Sequence, residues 1–443
     1  MISINTPVQF SDPLPERVDL VIIGAGVIGT STAWFAANRG MRVLLLEKGR
    51  VAGEQSSRNW GWIRQQGRDP AELPIMMESN HIWRGLAEKT GESGLSFTES
   101  GCLYLARSQA DLKRFEEWEH IAKDHGLNSK VLSTRELTQL EQPVDGPWLG
   151  GLLTPGDGRA EPWLAVPALA KAAHREGVSI IENCAARTIG SHNGQVSEVF
   201  TEIGKVSTSA VVVASGAWSS VFCANLGVDL PQLSVRSTVA KVSAPDRVIP
   251  NVSAPGFAIR QRNDGGYSIS SADVVEHYIS SRSFRYLTKF TPLLRKSARD
   301  VRLRVRSPIT YPGQWGSATK WSSSDVSPFE KDRILDPPPS EFVLKRIRER
   351  LPTYVPSLTN ARIEKAWAGL IDVSPDAVPY ICEASNLKGL FIGTGLSGHG
   401  FGIGPATGRI LADLVASNDP GHNLQRFRFN RFTDGSRISP GPY

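Results

Sequence analysis

Cysteine is scarce in this chain: there are four in 443 residues, Cys102, Cys184, Cys223 and Cys382. None stands in a C-x-x-C pair or at ligand spacing from a histidine, which excludes a disulfide-stapled scaffold and the common zinc sites and predicts four reduced core thiols. Long apolar runs are missing as well. No stretch approaches the ~20 residues a membrane span requires. The opening MISINTPVQFSDPLPERVD has neither a basic start nor an apolar h-region, so no secretory leader and a cytoplasmic location are expected. Charge of one sign is also lacking: 50 Lys and Arg against 44 Asp and Glu leave a net +6. These charges are scattered without interleaved aromatics, which argues against nucleic acid as a partner. The densest basic patch, Arg302, Arg304 and Arg306, alternates with Val301, Leu303 and Val305 and reads as the solvated face of a strand. Internal repeats and low-complexity tracts are absent. What is left is an ordinary globular composition, 40% hydrophobic and 21% charged, on a chain long enough for two or three domains.

The stretch that organises the chain is DLVIIGAGVIGTSTAWFAANRGMRVLLLE, Asp19–Glu47. The apolar run Leu20–Ile23 predicts a strand, and it stops at Gly24, Gly26 and Gly29, the spacing G-x-G-x-x-G. Gly24 permits a tight turn, Gly26 lets a pyrophosphate approach bare backbone, and Gly29 lets the next helix pack on the strand. That helix, expected over Thr30–Asn38, turns its N-terminus to the phosphates. A second β-rich run, Met41–Leu46, closes on Glu47, whose carboxylate is placed to accept a ribose hydroxyl. Strand, glycines, helix, strand and acid in this order form a dinucleotide half-site.

Lys48–Gly67 is too polar and glycine-rich for a regular element and should be a loop beside the phosphates, offering Ser56, Ser57, Asn59 and the cation Arg64. Helices are expected over Leu73–Glu88, Gln109–His125, Pro162–Glu176 and Ser340–Arg350. Pro143–Gly158 is turn-rich, and a strand pair lies within Val178–Phe200. The buried run Ser209–Ala214 ends at Ser215-Gly216-Ala217-Trp218, a second place where a nucleotide can pass close to backbone. Between Val228 and Thr359 short β stretches alternate with turns, and Asn263-Asp264-Gly265-Gly266 marks a hairpin over Phe257–Ser270. Leu390–Ile392 is a short strand, Gly393–Gly404 a third glycine-rich turn, and Pro405–Ala416 a helix with proline in its first turn. The end of the chain, Arg426–Tyr443, reads as a mixed tail.

Three separated motifs, VIIGAGVIG…LLLE, AVVVASGAWS and GLFIGTGLSGHGFGIGPATGRILADLV, together with WAGLIDVSPDAVPYI, resemble the FAD-dependent amine and amino-acid oxidoreductases of the D-amino-acid oxidase, glycine oxidase and sarcosine oxidase superfamily. The resemblance covers essentially the whole chain. It implies an α/β fold (α+β overall): a discontinuous Rossmann-like FAD-binding domain of residues 1–94, 157–228 and 362–443, and a second, largely antiparallel-sheet substrate domain of residues 95–156 and 229–361. It puts FAD, held without a covalent bond, on Gly24, Gly26, Val27, Ile28, Gly29, Glu47 and Lys48, then on the loop Ser56, Ser57, Arg58 and Asn59. Arg187 falls near the adenine. Ser215, Gly216 and Trp218 form a second contact, and Gly395, Leu396, Ser397, Gly398, His399 and Gly400 bring backbone N–H groups to the flavin.

In this reading His399 touches the flavin or the substrate. Two usual carboxylate anchors are missing, since Ile371 and Gly402 stand at those positions. Arg64 in WIRQQ is the remaining candidate, with Tyr267 and His277 as secondary substrate contacts. The implied reaction is oxidation of the C–N bond of an amino acid with hydride moving to the flavin. The combination SSRNWGW and SGHGF is most similar to the bacterial D-hydroxyproline and D-amino-acid dehydrogenase branch, so a D- or secondary amino acid is the expected substrate. N-methyl amino acid or opine oxidation is the alternative within the superfamily. No lysine occurs between Lys241 and Lys289, where oxidases of the family carry one over the flavin. A dehydrogenase is therefore expected, passing electrons to a quinone or another carrier in preference to oxygen. Readings of another class are an NAD-dependent dehydrogenase using the first fingerprint alone, or an electron-relay subunit of a larger complex.

Overall fold

The computed structural model describes residues 1–140, 144–243 and 250–441; Pro143 at the head of the turn-rich passage and the last two residues of the tail lie outside this range. The first layer is a six-stranded sheet in the order Tyr380–Glu383, Leu390–Thr394, Val211–Val213, Leu20–Ile23, Val43–Leu46 and Ser179–Ile181. All neighbours are parallel except the edge strand Tyr380–Glu383. The fingerprint strand is fully buried on both faces, which is why it reads as an unbroken apolar run. Leu20 and Ile22 pack with the helices Val27–Ala37, Pro162–Arg175 and Gly400–Val415. Val21 and Ile23 point the other way, toward the three-stranded sheet of Ala186–His192, Gln195–Thr201 and Gly204–Ser207.

The second layer is a ten-stranded, mostly antiparallel sheet. It contains the expected hairpin, Phe257–Gln261 with Tyr267–Ser270, closed in the register Gln261↔Tyr267. Its turn needs glycine: Gly266 has φ +72°, and a Cβ there would lie 2.1 Å from the Val242 carbonyl oxygen. The strand Ile363–Val373, expected to belong with the nucleotide domain, is hydrogen-bonded instead along Leu233–Val242 of this sheet, from Leu233↔Val373 to Val242↔Ile363. The helix Glu341–Tyr354 covers the sheet face formed by Ala240, Val242, Ile259 and Ile269. Gly150–Thr154, within the passage read as turns, is a strand paired with Cys102–Ala106.

Two further expectations change. The last helix starts at Gly400, with His399 as its N-cap, so Pro405 lies inside it. The ladder opens there around a side chain: Ser79 Oγ donates to the Gly402 carbonyl at 2.7 Å and accepts the Ala406 N–H at 3.3 Å. The strand Val301–Arg304 exposes Leu303 as well as Arg304, and Val305 beyond it is exposed too, so its solvent side is not purely basic. Arg302 and Arg304 lean inward to Glu276, at 4.0 and 3.9 Å, a carboxylate only 2% exposed that already binds Arg236. A buried anion outweighs the apolar preference of two exposed side chains. All four cysteines are buried and free. No helix among the described residues is long and apolar enough to cross a membrane.

Candidate active site

The fingerprint strand ends at Gly24, whose φ of +104° and 2.7 Å separation of a notional Cβ from the Ala214 carbonyl oxygen admit no side chain. Gly29 is tighter: a Cβ would lie 1.9 Å from the Gly24 carbonyl oxygen, so this glycine seals the helix Val27–Ala37 to the strand and does not face the ligand. Gly26 caps that helix, and a Cβ on it would approach Ser56 Oγ to 2.9 Å. The hydroxyl of Ser56 accepts the Val27 N–H at 2.9 Å and ties the following loop to the helix start.

The three glycine turns, far apart in sequence, meet at one cavity of about 1180 Å³, counting its open mouth. Gly24, Gly26, Val27, Ile28, Glu47 and Lys48 border its first end. Ser56 and Asn59, then Ser215, Gly216 and Trp218, form the middle, and Leu396, Gly398 and Gly400 the far end. Glu47 accepts the N–H groups of Ala25 and Gly49 at 2.9 and 2.8 Å, and burial pushes its carboxyl up to about 7 against the pull of Lys48. Lys48 itself is occupied: its Nζ binds Glu54 Oε1 at 2.6 Å and lies 4.7 Å from the Trp218 ring centroid. What the described residues offer an anion here is backbone and the positive end of the helix Val27–Ala37.

The remaining expected residues sit elsewhere. Ser57 donates to the Glu54 carbonyl, and Arg58 binds Asp336 and the Ala368 carbonyl, joining the loop to the large sheet. Arg187 holds Glu330 at 3.0 and 2.8 Å; its neighbour Ala186 borders the cavity in its place. Gly395 and Leu396 both donate their N–H groups to Asp372, at 2.6 and 3.2 Å, so those two donors are committed within the protein. Ser397 donates its N–H to the Asp372 carbonyl. Tyr267 packs in the apolar layer under the helix Glu341–Tyr354. Both ring nitrogens of His277 are engaged, with the Ser234 carbonyl and Ser283 Oγ at 2.8 Å each. Arg64 is half-buried, bonded to the Gln66 carbonyl at 2.5 Å and 5.6 Å from the Tyr104 ring centroid.

His399 is 5% exposed and faces inward to Glu72, 3.4 Å away. Burial, with Arg68 beside it, drives the imidazole down to about 4. His399 is thus neutral at pH 7 and positions the turn from behind, while Gly398 and Gly400 on either side border the cavity.

Several cavity residues carry no sequence signal of their own. Asp372 is the chief one: it collects Gly395 and Leu396 with Gln232 and Thr394, and burial raises its carboxyl above the usual range. It sits in the conspicuous LIDVSPD, yet nothing local names its partners. Leu370 and Ile371 on the same strand, and Phe401 on the last helix, complete the far end. Trp60, Trp62, Val239, Ala258 and Arg260 pack closely with Ser268 and Ser270 of the large sheet, leaving no space for a ligand between them.

The glycine cradle, the acid at the end of the second strand and the length of the cavity fit a dinucleotide that continues beyond its pyrophosphate. The comparisons agree. Residues 19–414 match the family model described as FAD dependent oxidoreductase, DAO. The chain is similar to L-amino acid deaminase from Proteus myxofaciens, solved in complex with anthranilate, with 32% identity, a TM-score of 0.91 and 96% of each chain covered. It is 25% identical over 430 residues to mouse mitochondrial sarcosine dehydrogenase, of which it spans 42%, and 95% of this chain is covered. With glycine oxidase of Geobacillus kaustophilus the identity is 25%, over 94% of this chain and 98% of the relative. FAD is the cofactor whose shape the cavity suits, and the chain belongs to the DAO family of FAD-dependent oxidoreductases.

Proposed function

We propose that this protein oxidises the C–N bond of an α-amino acid, with bound FAD supplying the two-electron acceptor that takes hydride from the carbon bearing nitrogen and leaves a hydrolysable imine. The observation that carries this reading is the meeting of three glycine turns, distant in sequence, around one cavity in a chain of the DAO family. Glu47, the Gly24–Gly29 turn and the Ser215–Trp218 turn would hold the cofactor. Asp372 fixes the Gly395–Gly400 turn by two N–H bonds, and His399 braces it against Glu72. Trp60 and Trp62, their ring centroids 5.6 Å apart, exclude water from the reacting carbon and offer an apolar surface to the substrate.

The likeness to L-amino acid deaminase and the apolar lining support a primary amino acid with an apolar side chain over the D-hydroxyproline suggested by SSRNWGW and SGHGF. The test is an anaerobic panel of L-, D- and N-methyl amino acids with D-hydroxyproline, read by bleaching of the holoprotein near ~450 nm. Apolar primary amino acids should bleach it fully and fastest. Bleaching by none of them overturns the reading.

A further inference from the structure

Beyond Arg304 the chain leaves the large sheet and, before returning at the helix Glu341–Tyr354, crosses to the nucleotide-binding layer. There it lies against the loop that follows Glu47. A Cβ on Gly49 would come within 2.2 Å of the Arg333 carbonyl oxygen, so the two segments meet backbone to backbone. Lys48 Nζ donates to the carbonyls of Asp332 and Arg333 at 2.5 and 3.1 Å. Glu54, whose Oε1 accepts Trp218 Nε1–H at 3.1 Å, accepts the Leu335 N–H at 3.1 Å as well. Two ion pairs complete the attachment. Arg333 donates to Glu202 at 2.6 Å and to the Lys48 carbonyl at 3.1 Å. Arg187 donates to the two oxygens of Glu330 at 3.0 and 2.8 Å, while its own carbonyl accepts Trp321 Nε1–H at 2.7 Å. Next to Glu330 stands Phe329, on the short helix Pro328–Lys331 and only 4% exposed. Its ring meets Trp218 edge-on and Phe222 at a tilt, with centroids 5.7 Å away in each case, and it borders the cofactor cavity together with Lys48 and Ala186.

We propose that residues 320–336 form a strap that shuts the adenosine end of the FAD site, with Phe329 as its contact with the adenosine and the pairs Arg187–Glu330 and Arg333–Glu202 as its fastenings. An aromatic ring covers a purine without any matched hydrogen bond, so one phenylalanine suffices at this end of the cavity. Arg187, expected at the adenine from its place in the sequence, is a positioning residue that acts through Glu330. The strap comes from the chain of the large-sheet domain, so the second domain holds the cofactor in place as well as covering it. This role concerns retention of FAD and is independent of which substrate is oxidised.

The experiment follows the regain of flavin fluorescence after dilution of the holoprotein, in wild type, Phe329→Ala, Phe329→Leu and Glu330→Gln. Loss of an aromatic face against a base predicts release roughly ten- to hundredfold faster in Phe329→Ala. Phe329→Leu keeps the apolar bulk and the fold but not the ring, and it too should release FAD faster than wild type. Glu330→Gln should hasten release several-fold. The fastenings are partly exposed, with side chains at 17% and 9% in one pair and 25% and 14% in the other. Raising the salt from ~0.01 to ~1 M should therefore speed release from wild type, and speed it less in Glu330→Gln, where one pair is already open. Should Phe329→Ala fail to fold, Phe329→Leu decides the contact. Release from Phe329→Leu at the wild-type rate would reduce residue 329 to a filler of space, and an identical salt response in wild type and Glu330→Gln would remove the fastening.

Discussion

Asp157 is wholly buried and accepts three hydrogen bonds, from the N–H groups of Gln65 and Gln66 and from Gln65 Nε2. Burial outweighs those bonds and pushes its carboxyl up to about 6 from 3.8. The native state therefore keeps a proton that the unfolded chain releases. The resulting stabilisation is complete below pH 3.8 and is lost as pH rises through 6, on the order of 3 kcal/mol in all. In urea unfolding, wild type minus Asp157→Asn should decline across that window, and parallel profiles would remove Asp157 as the cause. Glu276 is a different case, a carboxylate 2% exposed that pairs with Arg236 and has Arg302 and Arg304 within 4.0 Å. Glu276→Gln strands Arg236, which is 7% exposed, and should cost ~3–5 kcal/mol in the same assay. Nothing in the local sequence signalled either role. VRLRVR reads as a strand with a solvated basic side, and its arginines are indeed partly solvated, but the pattern says nothing of the buried carboxylate that Arg302 and Arg304 approach.

At the scale of elements, the fingerprint was legible because all its constraints are local. Gly24, Gly26 and Gly29 act on one turn, and the strand Leu20–Ile23 has the predicted bounds. The last helix was misplaced by five residues because proline favours a first turn, a propensity set aside here by a partner distant in sequence. Ser79, on the helix Leu73–Thr90, supplies the hydroxyl that bridges Gly402 and Ala406 next to Pro405. Ser79→Ala leaves the Ala406 N–H buried and unmet, while the Gly402 carbonyl keeps Trp83 Nε1 at 3.0 Å. The expected loss is ~1–3 kcal/mol, seen as a lower Tm of the holoprotein with earlier release of FAD. An unchanged Tm would mean the helix closes over the gap unaided. Asp372 escaped notice for a related reason: its ligands, Gly395 and Leu396, lie beyond an intervening strand.

For the whole molecule, the family and the two-sheet plan were legible from three motifs in order, whereas the packing of individual side chains in the large sheet was not. Of the expected substrate contacts, Tyr267 and His277 lie on other surfaces of the same sheet, since strand alternation was known but its phase was not. The electron acceptor belongs to this scale too. Lys241 is paired with Asp264 and Glu364, at 3.6 and 3.4 Å, and the sheet strands between Asn251 and Arg304 carry no lysine. We expect the substrate-reduced protein to be reoxidised slowly by air and rapidly by a soluble quinone in stopped flow. Fast turnover with oxygen alone would make it an oxidase.

The strand Ile363–Val373 is bonded along Leu233–Val242 at one side, while its Asp372 clasps the cofactor turn. It works as a rail fixed to both compartments. The large sheet cannot swing away as a rigid flap without breaking the bonds of Asp372 to the Gly395 and Leu396 N–H groups. One carboxylate thus couples the two layers, and Asp372→Asn should loosen their mutual orientation along with the turn it holds.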